Sequence, residues 1–347
     1  MRGRRGWVAL LATAVLALGA CSSSPPPQPA PEPTTTAPVQ TPTPTPEAVP
    51  TWPLTGLPVE DGEQRPAVAV KVENSAAARP QTGLEEADVV WEEMVEGGIT
   101  RFNAVFHSRL PEVVGPIRSL RPMDAGIVAP LGGPQVISGG QTLFLGSVEA
   151  EGVQLISNDA GHGGFFRSPD RRAPHNLYGR PADFVVQAAA TEPPPEQFVH
   201  APTPEEATAA LDGEPAGTLR VRFPSASPEW TWDATSARWL RAEDGAPAES
   251  ADGTRLAAHN VVVMRVEIVA SAGRDQSGAA VPETVMTGTG EALVASGGRT
   301  VAATWSKPTV ASPVTLTTPD GEAVALTPGT TWVELVPADR GGVDVER

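Results

Sequence analysis

Cysteine occurs once in 347 residues, at Cys21, and lysine only twice, at Lys71 and Lys307. With no cysteine after position 21, the remaining chain can hold neither a disulfide nor a thiolate metal site, so its folded part rests on its cores alone. The five histidines are scattered, without H-E-x-x-H or paired Cys and His spacing, and neither a metal nor a cofactor is expected. Positive charge is also scarce: the formal net charge is −16. A chain this acidic is a poor match for a phosphate backbone, which excludes nucleic acid as a partner.

The apolar run at residues 7–20, "WVALLATAVLALGA", is too short to cross a bilayer permanently. It follows Arg2, Arg4 and Arg5 and leads through "LGAC" into the single cysteine, the layout of a lipoprotein signal peptide over residues 1–20. Cys21 is then the lipidation site, carrying palmitate-type acyl chains; two or more such chains give stable membrane anchoring at about 0.8 kcal/mol per buried methylene. Residues 21–51 are Pro- and Thr-rich with almost no apolar bulk, so they form an extended, disordered tether. The expected location is the outer face of the cell membrane.

The remainder divides by composition into a mixed α/β segment over 52–190, a proline-rich linker over 191–215 and a β-rich segment over 216–345, an α+β chain with two domains. In the first segment "AVAVKV", "PQVIS" and "GVQLIS" read as strands, and "RPADFVVQAAA" as a helix with Pro181 in its first turn. "VVWEEMVEGGITRFNAVF" reads as a hairpin turning at Gly97-Gly98, a register that sets Arg101 opposite Met94. That register puts Glu92, Glu96, Arg101 and Asn103 on one face, expected to be solvated and held by cross-strand pairs. In the second segment, "WTWDATSARWLRA" reads as a hairpin. Its tryptophans 230, 232 and 239 can stack a sugar, although strand aromatics more often belong to a core.

Charge is unevenly spread. Residues 52–100 sum to −7 and 181–347 to −12, whereas 101–180 carry eight arginines against six acids. Within that basic stretch, Arg101, Arg118, Arg121, Arg171, Arg172, His175 and Asn176 are the candidate anion-binding residues, since guanidinium presents a planar fork to phosphate or carboxylate. Arg118 and Arg121 follow the Gly115-Pro116 break and fall on a loop, where binding residues concentrate. Asp124 and Asp170 are the candidate acid/base groups. Ser119, Ser138 and Ser168 lack a nucleophile elbow.

The segments "PLTGLP", "RPAVAVKVENSAAARPQTGLEEADVVWEEMVEGGITRFNAVF", "VGPIRS" and "APHNLY", with "AAHNVVVMRV", "TGTGEALVASGG" and "PGTTWVELVP" further on, resemble the YerB-like lipoprotein family. The resemblance covers nearly everything after the tether. It implies a bacterial surface lipoprotein with a mixed α/β first domain and a β-rich second one, and transfers no catalytic residue. A fainter likeness, a hairpin followed by an arginine-bearing turn, is to the LytR-CpsA-Psr envelope phosphotransferases, but those carry Arg-Asp in that turn and Arg118 precedes Ser119. Three readings stand: a module binding an anionic lipid-linked or cell-wall ligand, an envelope enzyme acting on phosphate or glycan linkages, and a scaffold docking another envelope protein.

Overall fold

Short runs of Val, Ile and Trp bounded by Gly, Pro and Asn become strands throughout. The computed structural model describes residues 49–59 and 65–347; the signal peptide, Cys21 and most of the tether lie outside the described residues. Strands make up 40% and helices 14%, so the α+β chain is mainly β.

The first half contributes β1 (Val68–Glu73), β2 (Val89–Met94), β3 (Thr100–Phe106), β4 (Gln135–Ile137), β5 (Leu155–Ser157), β6 (Phe165–Arg167) and β7 (Leu177–Gly179). The second contributes β8 (Glu214–Pro215), β9 (Thr218–Arg222), β10 (Pro228–Asp233), β11 (Arg238–Glu243), β12 (Ala246–Pro247), β13 (Ala257–Ala258), β14 (Asn260–Val266), β15 (Ile268–Arg274), β16 (Ala280–Thr284), β17 (Gly288–Ser296), β18 (Arg299–Lys307), β19 (Thr315–Thr317), β20 (Thr331–Pro337) and β21 (Gly342–Glu346). The helices are short: α1 (Asp124–Val128), α2 (Thr142–Ala150), α3 (Pro181–Val186) and α4 (Thr208–Asp212). Pro181 opens α3, as its fixed φ favours.

The two segments expected to fold separately share one sheet. Its order is β19-β18-β17-β14-β20-β2-β3-β1-β4-β5, with β8 added at β18. The late strand β20 runs parallel to both β14 and β2, and so joins the second segment to the first along a full-length ladder. The expected linker is also part of the body: Phe198 is buried and stacks on Trp91 at 6.1 Å, and α4 and β8 fall inside residues 191–215. Ala201, Ala207 and Ala209 are buried with it, so several small apolar side chains dock the segment.

Both faces of the central strands are covered, which explains their near-continuous apolar sequence. One face packs against α1, α2 and the β15-β16 hairpin through Ile127, Phe144, Val148 and Val281. The other packs against the second sheet, ordered β12-β11-β10-β9-β21, through Leu219, Val221, Trp230 and Trp239. Trp230 and Trp239 are fully buried, so they serve as core.

The β2-β3 register differs from the expected one by a single residue. Glu93, not Met94, faces Arg101. Val95 N–H donates to Ile99 O at 2.8 Å and Gly98 N–H to Val95 O at 3.2 Å, giving a three-residue loop, Glu96-Gly97-Gly98. Gly97 and Gly98 take φ of 74° and 73°, values that disfavour a side chain. Because side chains alternate, the slip moves every β2 residue to the opposite face from the one expected. Glu93, Arg101 and Asn103 share one face, and Glu92, Thr100 and Phe102 the other. Neither face is solvated: Glu92, Glu93 and Asn103 are wholly buried.

Candidate functional site

Consecutive acids in a strand buried on both sides need a cation on each side. Glu93 points into the helix-covered face, where it is ion-paired with Lys71 of β1. Lys71 Nζ also lies 2.6 Å from Asp124 Oδ1, at the start of α1. Asn103 Nδ2 donates to the same Oδ1 at 3.2 Å and to Gln135 Oε1 at 2.8 Å, and the Arg121 N–H donates to Asp124 Oδ2 at 2.8 Å. Burial pulls the Lys71 ammonium down to about 8, with Asp124 holding it against a further fall.

Beside this cluster, towards the end of β1, stand three arginines. Arg101 is 8% exposed and donates from Nη1 to Ser119 O at 2.9 Å. Arg121 grips Glu96 through Nε at 2.9 Å and Nη2 at 2.6 Å, and Arg118 Nε lies 3.5 Å from Glu73 Oε2. Among the described residues, no carboxylate lies within ion-pair distance of Arg101. Burial first, then the neighbouring Arg121 and Arg118 charges, push its guanidinium down to about 9.

Of the residues singled out in sequence, Arg101, Arg118, Arg121 and His175 gather here. His175 Nδ1 lies 3.0 Å from both oxygens of Glu73, the acid that also faces Arg118. Arg171 is turned onto backbone instead, donating to Ala78 O at 2.9 Å and Pro80 O at 2.5 Å. Arg172 is exposed, and Asn176 Oδ1 accepts from Arg167 Nη1 at 2.9 Å. Asp124 is wholly buried with both oxygens engaged, while Asp170 is exposed, its N–H donating to Ser168 Oγ at 3.3 Å. Among the described residues, no group of three His, Cys, Asp or Glu side chains is placed to hold a metal, and no helix is long and apolar enough to cross a membrane.

Glu92 occupies the opposite face, where sequence reading placed no site. Its cation is Arg241 of β11, 2.8 Å away, which also holds Glu243 at 2.6 Å and Glu334 at 3.1 Å. The guanidinium lies against Phe102, Trp230 and Trp332, 4.8–5.3 Å from their ring centres. Burial, then the neighbouring Glu92 charge, raises Glu334 well above the usual carboxylate range. The visible signals were Lys71 inside "VAVKVE" and the paired acids inside "VVWEEM": charges in otherwise apolar strands require buried partners.

Comparison with known proteins agrees with this frame. Residues 54–193 match the family described as protein of unknown function (DUF3048), N-terminal domain, and residues 219–333 match its C-terminal domain. The chain is 28% identical over 297 residues to a Bacillus subtilis (strain 168) protein named "Putative lipoprotein YerB", covering 82% of this chain and 86% of that one. It is also similar to the crystal structure of the YerB protein from Bacillus subtilis, with a TM-score of 0.69 and 25% identity, over 85% of this chain and 99% of that one. The two matched domains together span most of the sequence, and the chain belongs to the DUF3048 family, that of the YerB-like lipoproteins.

Proposed function

We propose that this is an extracytoplasmic lipoprotein, anchored to the membrane through Cys21, that binds an anionic cell-envelope component at Arg101, Arg118 and Arg121. The lipoprotein part is supported by the "LGAC" sequence and by the name of the Bacillus relative. His175 belongs to the rim through Glu73, and Arg171, Arg172 and Asn176 flank it on the same connecting segment.

The observation that carries the binding reading is Arg101. A cation 8% exposed, next to two others and, among the described residues, with Glu96 and Glu73 near but no carboxylate within ion-pair distance, is costly unless an anion joins it. A phosphate or carboxylate oxygen supplies that partner and takes the bidentate geometry guanidinium offers. The Arg121 N–H to Asp124 bond fixes the loop at Arg121, while Glu96 and Glu73 hold the Arg121 and Arg118 guanidinium groups that a ligand must draw on.

The test combines mass spectrometry of envelope lipids and glycans co-purifying with the full chain and calorimetric titration with pyrophosphate. Binding is expected, and Arg101→Met should weaken it at least tenfold. Unchanged pyrophosphate affinity in that variant would remove the site.

A further inference from the structure

On the sheet face opposite the Arg101 group, a cavity of about 420 Å³ opens between the loop after β1 and the turns of the second sheet. Arg79 and Gln81 line it from the loop, Ala246 and Leu256 from the second sheet, and the buried pair Arg241 and Glu243 lies at its base. The Arg79 to Asp244 ion pair at 2.6 Å closes one side, and Ala251 N–H donating to Gln81 O at 2.7 Å closes another. Both matched domains therefore contribute walls.

The Glu243 side chain is 4% exposed, and its two oxygens are treated unequally. Oε2 accepts from Arg241 Nη2 at 2.6 Å and from Asn74 Nδ2 at 3.5 Å. Oε1 is buried and has no hydrogen-bond donor. Arg79 Nη2 stands 3.4 Å from it without making one, its donors going to Asn74 and Asp244. The oxygen is thus ion-paired with Arg79 yet accepts no hydrogen bond, and a donor is what a ligand entering beside Arg79 brings.

Arg79 and Arg241 stand among four carboxyl groups, Glu92, Glu243, Glu334 and Asp244, so acidic groups outnumber basic ones around the cavity. Burial raises Glu243 above the usual carboxylate range, with Glu92 adding to the rise and Arg241 and Arg79 opposing it. We propose that this cavity binds a small ligand carrying an ammonium group on a polar carbon frame, an amino sugar or a free amino acid, with the ammonium donating to Glu243 Oε1. The site is independent of the Arg101 group: it lies on the other side of the sheet and selects the opposite charge.

The test is calorimetric titration of the purified full chain with D-glucosamine, L-alanine and their N-acetyl forms, each up to about 10 mM, the weak end of measurable affinity. One of the two amines is expected to bind, to release a proton on binding and to bind at least tenfold more tightly at pH 7.5 than at pH 5. Its acetylated form should not bind. Glu243→Gln should weaken binding at least tenfold. Ala246→Trp, an exposed substitution at the mouth that leaves the buried charges intact, should do the same, which covers the case in which Glu243→Gln fails to fold. No binding by either amine, equal binding of amine and acetyl forms, or undiminished binding by Ala246→Trp would each overturn the proposal.

Discussion

Lys71 Nζ lies 2.6 Å from Asp124 Oδ1 with neither side chain exposed, so one of the two lysines in the chain is spent inside the sheet. It is ion-paired with both Glu93 and Asp124 there. Lys71→Met keeps the volume and removes the charge, leaving two buried carboxylates unpaired at an expected cost of about 3–5 kcal/mol. Urea unfolding measures this. Adding Glu93→Gln and Asp124→Asn to Lys71→Met should recover most of the loss, because neutral groups need no counter-ion.

Arg241 is expected to behave similarly, with a pH signature. In Arg241→Met, Glu243 and Glu334, already raised by burial, lose the cation that holds them down and are raised further, while the unfolded chain ionises them above its ordinary value near 4.5. The folded variant then binds more protons than the unfolded one, so its stability falls as pH rises. The deficit relative to the parent should be small near pH 4.5 and reach about 3–5 kcal/mol by pH 8. Chemical unfolding at several pH values checks the trend, and a pH-independent deficit would contradict it.

Strand identities were legible because "AVAVKV", "PQVIS" and "TTWVELVP" are apolar, β-branched and bounded by turn residues. The partnership of strands was not. Nothing in "TTWVELVP" says that it runs between β2 and β14, since an apolar strand buried on both faces fits any interior position. The hairpin slip has a similar origin: Gly97-Gly98 suits either a two-residue or a three-residue loop, and the choice reverses where Glu92 and Glu93 point. Within the candidate site, the arginine excess over residues 101–180 was visible, and Arg101, Arg118 and Arg121 do lie near one another. Arg171 departs because its donors reach the carbonyls of a loop about ninety residues earlier, a contact no local pattern encodes.

That no carboxylate among the described residues is ion-paired with Arg101 gives a prediction that separates binding from folding. Arg101→Met loses the bond to Ser119 O but also removes a buried cation repelled by Arg118 and Arg121. The variant is expected to unfold at equal or higher free energy than the parent, by up to about 2 kcal/mol, while losing anion binding. Arg121→Met should instead destabilise, since it strands Glu96. Thermal unfolding of the two variants side by side distinguishes them. Equal destabilisation by both would mean that Arg101 has a partner in solution.

Three of the five histidines surround the segment that follows the tether. His107 meets Trp52 edge-on at 5.0 Å, His200 lies under Gly56, and His259 packs against Gly329, whose N–H donates to Thr55 O at 2.7 Å. Burial lowers all three to about 4, with Arg65 adding to the effect at His107 and Arg238 and Arg109 at His259. The unfolded chain binds their protons near 6.5 and the folded one only near 4, so their contribution to stability is complete above 6.5 and is lost as pH falls through that window. Each contributes a slope of up to about 1.4 kcal/mol per pH unit. Asp88, which accepts from the His107 and Ser108 N–H groups, is raised by burial and opposes part of this slope. Comparing variants isolates the histidine term. Both ring nitrogens of His107 are buried without partners, so His107→Phe should add about 1–3 kcal/mol at pH 7 and remove one proton from the acid limb. Trp52 fluorescence followed from pH 7 to pH 4 should report release of the 51–58 segment in the parent before global unfolding, and at lower pH in His107→Phe. Identical acid limbs in parent and variant would show that His107 takes up no extra proton on unfolding, against its lowered folded-state value.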